Sequence, residues 1–431
     1  MRARVLWFTT LGVLTVASHG FAQSQNVVRL SLQEAEQQAV RNHPAIRAGE
    51  YAALAAGETV REIRSAYLPT VYGSFTGVQA QNGSVLTAGG LNNSSVIDRF
   101  AYGFSASQML TDFGRTSNLS ASASLRVDAQ QKNVESRRAT VLLDLDRAYF
   151  DALRTRAVER VADQTVKARQ LVVDQVTALA ASGLKSTLDL SFAKVNLAEA
   201  QLLLVQAKND VNGADARLSA ALGAQGRASY ELTEEPLPEP PPADVATLVA
   251  HALGNRPDVA EHRLTGASSV KLADAERALW WPTLSLIGAA GMTPVHQIGL
   301  SNGYSAVGLN VTVPLTNGNL FAARRAEASF RASAEQQTVK DLENRVSRDV
   351  EIALLDVQTA YQRLDLTNQL LAQSTDALDL AQQRYDIGLS SIVELTQGQL
   401  NQTRAQIEQA TARYEYQARS SALRYQTGDL K

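Results

Sequence analysis

Five histidines, 43 acidic residues and not one cysteine are the chemistry-bearing side chains of this 431-residue chain. Their spacing organises no reaction centre. His19, His43, His251, His262 and His296 are scattered. His251 and His262 are too far apart along a helix to share a metal ion, and Pro257 falls between them. No His-Glu-x-x-His zinc helix, no Gly-x-Ser-x-Gly nucleophile turn and no phosphate-cradling glycine loop is present. Without cysteine there is no disulfide, thiolate ligand or thiol nucleophile. The acids lie along periodic segments, as solvated helix faces do. The pattern argues against an enzyme and requires no cofactor or metal. What remains is electrostatics. Glu394 lies just beyond a glycine turn, where the plain reading is a solvated helix-face acid.

The elements that would position such a group come next. The chain is 45% hydrophobic but only 6% aromatic, a bias toward Ala, Leu and Val that suits long packed helices. A net charge of −2 excludes a strongly basic nucleic-acid binder. Arg2 and Arg4, the apolar run Val5–Val16 and the small residues around Gly20-Phe21-Ala22 read as a secretory signal over 1–22. Beyond it there is no apolar run of about 18 residues, so any membrane contact has to come from β-strands.

The chain repeats itself. Arg41-Asn42-His43-Pro44 returns as Gly254-Asn255-Arg256-Pro257, and Tyr67-Leu68-Pro69-Thr70 returns as Trp280-Trp281-Pro282-Thr283 at the same offset. Leu110-Thr111-Asp112 and Leu315-Thr316-Asn317, Gly183-Leu184 and Gly388-Leu389, and Gly223 and Gly428 share a slightly shorter offset. A loop between these landmarks is therefore shorter in the second copy. The halves are 23–233 and 244–431, joined by a proline-rich strap, 234–243, that can form neither helix nor central strand.

Each half opens with helix broken at a proline. The residue before proline resists the α conformation, so two helices should meet there. Alternation then predicts a strand hairpin at about 69–111 and another at about 282–315, with turn-rich loops at 81–95 and 291–303. Val307, Leu309, Val311 and Val313 share one face; Ala306, Gly308, Asn310 and Thr312 share the other. Long proline-free stretches follow, from Phe113 to Ser182 and from Asn319 to Asp386, each roughly 100 Å if helical throughout. Gly183 and Gly388 break them, and Ser186 or Thr187 and Ser390 or Ser391 can cap returning helices. Helical hairpins at about 113–223 and 319–428 result.

Two hairpins give four strands, too few for a transmembrane barrel, which has at least eight. Open strand edges are not tolerated in hydrocarbon, so several chains would have to share one barrel. The order and duplication of Asn-x-Pro, Pro-Thr, Gly-Leu with Asp189 or Glu394 beyond it, and the closing Gly428-Asp429-Leu430 resemble the outer-membrane efflux protein (TolC) family, from about Leu32 to Gly428. The resemblance implies a mainly α protomer with a small β part. It also implies a homotrimer with a twelve-stranded outer-membrane barrel on a twelve-helix periplasmic tunnel. It further implies a passive export duct embedded in outer-membrane lipid, served by a periplasmic adaptor and an inner-membrane pump. Drug efflux, metal-ion efflux and type I protein secretion all use such ducts. An envelope-spanning structural or adhesive coiled-coil protein is the competing reading, but it leaves the duplicated hairpins unexplained.

By the same resemblance the tunnel closes at its periplasmic end, with Asp189, Tyr385, Glu394 and Gln397 at the gate. Gln397 is neutral where the family carries an acid, and Ser390 stands where it carries a basic latch residue. The tips Gly183-Leu184 and Gly388-Leu389 correspond to adaptor-docking sites.

Overall fold

The computed structural model describes residues 28–430 except 80–84, 89–90, 96–98, 225–229, 296–298 and 300. The expected signal segment lies outside the described residues. In the first half, β1 (Val28–Leu30) is followed by α1 (Leu32–Asn42), α2 (Pro44–Arg64), β2 (Thr70–Val78), the short β3 (Val85–Ala88) and β4 (Leu91–Ser95), and β5 (Arg99–Thr111). Then come α3 (Arg115–Ala181), α4 (Thr187–Ala221) and β6 (Tyr230–Leu232). The second half has α5 (Val245–Asn255), α6 (Pro257–Arg277), β7 (Thr283–Val295), β8 (Gly303–Thr312), α7 (Leu320–Asp386) and α8 (Ile392–Thr427).

The two Asn-x-Pro motifs each join a pair of helices. His43 and Arg256 are extended, with ψ 124° and 125°, because the proline that follows bars the helical conformation. Each proline then starts the next helix, where its missing N–H is no loss. The structure also explains why each half ends on a glycine. Gly223 has φ +69° and presses on the Asn42–His43 bend; a Cβ there would lie 2.9 Å from His43 Cα. Gly428, φ +81°, meets Asn255–Arg256 in the same way, at 3.0 Å from Arg256 N. The proline bend and the closing glycine are thus one contact, made twice.

α3 and α7 are 67 residues each, near 100 Å at the ordinary rise. α3 packs against α2 and α6 over its first part and against α4 and α8 over its second. α7 lies along α6 and then α8. Small residues allow this close packing. Ser122 and Ser268 meet at 3.0 Å, buried between α3 and α6, and Ala193, Ala200, Ala207 and Ala214 are buried along α4. Low aromatic content follows from that geometry. At the waist Ala35, Ala39 and Ile46 pack on Leu145, Tyr149 and Leu153 of α3, with Leu218 of α4 and Tyr414 of α8. Here β1 and β6 form a short parallel ladder that the sequence did not reveal. The Tyr149 hydroxyl lies 2.9 Å from Leu30 O and 2.7 Å from Thr233 O, fastening the two ends of the first half together. The strap follows along α8, where Tyr416 donates to Glu239 O at 2.6 Å and Gln417 to Glu235 O at 2.9 Å.

The main sheet has the order β2-β5-β7-β8, antiparallel throughout. Its register sorts the side chains into two faces. Val71, Phe75, Phe100, Tyr102, Phe104, Leu284, Leu286, Met292, Val307, Leu309 and Val311 fall on one. Thr70, Tyr72, Ser74, Thr76, Ser105, Ser107, Ser285, Ile287, Tyr304, Asn310 and Thr312 fall on the other, which is mainly polar. The apolar face is open in the single chain: Phe75 is 82% and Val307 83% exposed. On the second face Tyr304 lies over two glycines. A Cβ on Gly291 would fall 2.4 Å from Tyr102 O and 2.6 Å from the Tyr304 hydroxyl, so that ring requires glycine beneath it.

Both expected loops need correction. Of 291–303, the part up to Val295 is strand, because β5 runs back to Arg99 and Phe100 pairs with Val295. Within 81–95 the strands β3 and β4 pair with each other, a small second hairpin in the first half. Among the described residues no helix is long and apolar enough to cross a membrane.

Candidate functional site

The two helical hairpins end side by side, and their turns are built alike. Gly183, φ +77°, sits just past α3; its N–H donates to Ala180 O at 3.0 Å and Leu184 N to Leu179 O at 2.9 Å. Gly388, φ +77°, repeats this with Tyr385 O at 3.1 Å and, through Leu389 N, Arg384 O at 2.8 Å. This is the left-handed glycine stop that satisfies the last helical carbonyls. It leaves Leu184 and Leu389 72% and 69% exposed at the very ends.

The returning helices start differently. In α4, Ser186 Oγ accepts from Asp189 N at 3.1 Å and the Asp189 carboxylate accepts from Ser186 N at 3.2 Å. Asp189 is thus held in a reciprocal cap. In α8, Ser391 Oγ accepts from Glu394 N at 3.4 Å, but the Glu394 carboxylate turns to Arg384 at the end of α7, 3.3 Å away. Both partners of that pair are about half exposed, so it fixes the turn's geometry more than its stability. Gln397 donates to Asn401 within its own helix at 2.9 Å.

Between the hairpins lies Tyr385, 6% exposed, in a cluster with Val172, Val173 and Val176 of α3, Ala193 of α4, and Ile392 and Leu395 of α8. Lys185, from the other tip, rests on its ring with Nζ 4.2 Å from the centroid. Burial, with the negative charges of Asp189 and Asp386, pushes the Tyr385 phenol up, so it stays neutral. Its hydroxyl has no hydrogen-bond partner, and neither does the buried Ser390 Oγ. Higher up, Asn196 donates to Thr396 at 3.0 Å, and Arg169, lowered by burial, donates to Gln399.

The structure therefore brings Asp189, Tyr385, Lys185, Arg384 and Glu394 to one end of the molecule. It leaves Gln397 outside the contacts that join the hairpins. Lys185 and Arg384 were not singled out in the sequence. One signal was there: by the repeat offset, Lys185 is the counterpart of Ser390, so a basic residue does follow a tip glycine, but in the first copy. Among the described residues no cluster of three or more metal-ligating side chains occurs.

The family model described as outer membrane efflux protein matches residues 35–224 and 248–429. The solvent efflux pump outer membrane protein SrpC of Pseudomonas putida is 26% identical over 345 residues, 78% of this chain and 72% of that protein. The outer membrane protein TolC of Salmonella enteritidis is 21% identical over 410 residues, 93% of this chain and 82% of that one. Among solved structures, a membrane protein from Pseudomonas aeruginosa superposes with a TM-score of 0.80 at 20% identity, over 93% of this chain and 91% of that chain.

Proposed function

The chain belongs to the outer membrane efflux protein family, and on that footing we propose that it is the outer-membrane duct of a tripartite efflux system, working as a homotrimer. It serves as a passive path from periplasm to exterior and carries out no catalytic step. The observation that carries this reading is the four-stranded sheet, apolar on one face and unpaired at both outer edges, β2 and β8, among the described residues. Such edges cannot face hydrocarbon. Pairing β8 of one copy with β2 of the next is a head-to-tail contact that closes into a ring, and three copies supply twelve strands. The helical edges support the same assembly. α4 carries an exposed stripe, Leu188, Phe192, Val195, Leu202 and Val205, and α7 carries Leu355, Leu366, Leu370 and Leu380. These stripes lie on the two outer helices of the wall and suit each other across a copy boundary.

In this reading the apolar sheet face meets outer-membrane lipid and the long helices form the periplasmic tunnel. The end holding Asp189, Tyr385 and Glu394 is its gate. The exposed Leu184 and Leu389 tips meet a periplasmic adaptor, itself coupled to an inner-membrane pump. Solvent efflux is the role named for SrpC; small-molecule export is the cargo class we favour for this chain.

Light scattering on protein extracted from the outer membrane in mild detergent should give a protein mass of three chains, and the same material should conduct in planar bilayers. A soluble monomer would sink the shared barrel, because four strands cannot span a membrane alone. The Arg384 contact bears on selectivity. Glu394→Gln removes one negative charge per chain and leaves Arg384 unpaired, so it should shift bilayer selectivity away from cations. Unchanged cation preference would show that the Glu394 carboxylate does not act on the pore.

A further inference from the structure

The two tips of one chain are not equivalent, and the difference lies in one charge. At the position after Leu184 the first copy has Lys185; at the position after Leu389 the second has Ser390. Tyr385 has Ala180 as its counterpart. The lysine and the aromatic ring that can receive it therefore occur once each, on opposite hairpins, and they meet. The reverse pairing, Ser390 toward Ala180, offers nothing, and Ser390 Oγ is buried without a partner.

We propose that Lys185, seated on the face of Tyr385, is the closure that holds the two helical hairpins of each chain together at the tunnel end, and that the Tyr385 ring rather than its hydroxyl does the holding. The inference deepens the gate reading above and rests on it. A cation over an aromatic face is drawn by the ring quadrupole, and the attraction grows when the ring is buried, as Tyr385 is. The hydroxyl has no partner, and the nearby Asp189 carboxylate is engaged in its own cap with Ser186. The phenol stays neutral, so the contact is cation to ring and not an ion pair. The ring's other surroundings are aliphatic side chains of α3, α4 and α8. Separating the hairpins exposes that surface and removes the lysine in one movement.

The pair has a distinctive pattern of tolerated and damaging changes. Lys185→Arg and Tyr385→Phe keep both the cation and the ring, and should leave bilayer conductance unchanged. Lys185→Gln and Tyr385→Leu remove one or the other. Each lost contact should shift the closed-to-open balance about two- to tenfold per chain, seen as higher mean conductance. The double variant should do no more than either single. Tyr385→Phe opening the pore as Tyr385→Leu does would overturn the proposal in favour of the hydroxyl.

A second readout does not depend on conduction. Iodination of the folded trimer, mapped by mass spectrometry, should spare Tyr385 in the wild type and modify it in Lys185→Gln. Conducting variants in which Tyr385 stays shielded and conductance stays at the wild-type level would refute the closure while leaving the channel intact. Tyr385 uncovered in a protein that never conducts would refute the channel reading and leave the contact standing.

Discussion

Asp146→Asn should stabilise the protein strongly at pH 8 and much less at pH 5. Asp146 lies on α3 at the waist, fully buried, and its carboxylate oxygens have no hydrogen-bond partner of good geometry. Burial pushes its pKa up from 3.8 to about 7; Ser421 and Arg424 of α8 oppose the rise and Glu36 of α1 adds to it. Glu36 is itself raised, first by burial, with Glu235 of the strap nearby and Arg424 opposing. Two carboxylates thus share one closed site with a single arginine, and they titrate as a pair. The sign follows from proton uptake. Between the unfolded and folded values the native state holds more protons than the unfolded chain, so stability falls as pH rises from about 4 to about 7. Above that window the ionised carboxylate carries its full burial penalty, on the order of several kcal/mol. An asparagine of the same shape never ionises and escapes it. Heat unfolding of the protein at a fixed scan rate, at pH 5 and pH 8, is the measurement. Asp146→Asn should flatten the pH dependence and raise the pH 8 transition by several degrees. An equal displacement of the transition at both pH values would mean that packing, not charge, governs the site.

Such a site was not legible in the sequence, and the reason separates what could be read from what could not. The duplication was visible because both copies obey the same local rules. A proline bars helix at 43 and 256, a glycine takes positive φ at 183 and 388, and alternation marks Val307, Leu309 and Val311. Each rule acts within a few residues. Asp146 reads locally as one more helix-face acid, and only the arrival of α1 and α8 from opposite ends of the chain buries it. The same holds for Lys185 on Tyr385 and for the ladder of β1 with β6, too short to carry a pattern. The loop expected at 291–303 failed for a related reason. Its glycine and threonine suggest turns, but the neighbouring strand β5 runs on to Arg99 and recruits Met292 and Val295 as partners. The residues proposed for the gate divide likewise. Asp189 and Glu394 share a helix start by local rule, yet only Glu394 finds an arginine across its turn.

Two adjacent residues of β8 should respond oppositely to the same substitution. Val307 belongs to the apolar face, opposite Gly288 and in line with Leu309 and Val311; Ala306 belongs to the other face, opposite Ala289. Val307→Arg places a guanidinium in hydrocarbon if the apolar face meets lipid. A basic residue on a barrel's lipid face costs about 2–4 kcal/mol near the midplane. Every copy in the ring carries it, so the cost multiplies with the number of subunits. In the proposed barrel Ala306→Arg would put the same charge into a water-filled lumen, where solvation is retained. Backbone, strand and sequence neighbours are almost common to the two, so β-propensity cannot separate them. Val307→Arg should abolish recovery of folded trimer from the outer membrane. Ala306→Arg should assemble at wild-type yield and move ion selectivity toward anions in bilayers. Equal tolerance of both would show that neither face meets lipid and that the sheet is a soluble cap on the helices. The reverse order would show that the barrel is closed with its mainly polar face outward, which the register of all four strands makes the less favourable arrangement: Phe75, Phe104, Leu286 and Leu309 would then line the water path.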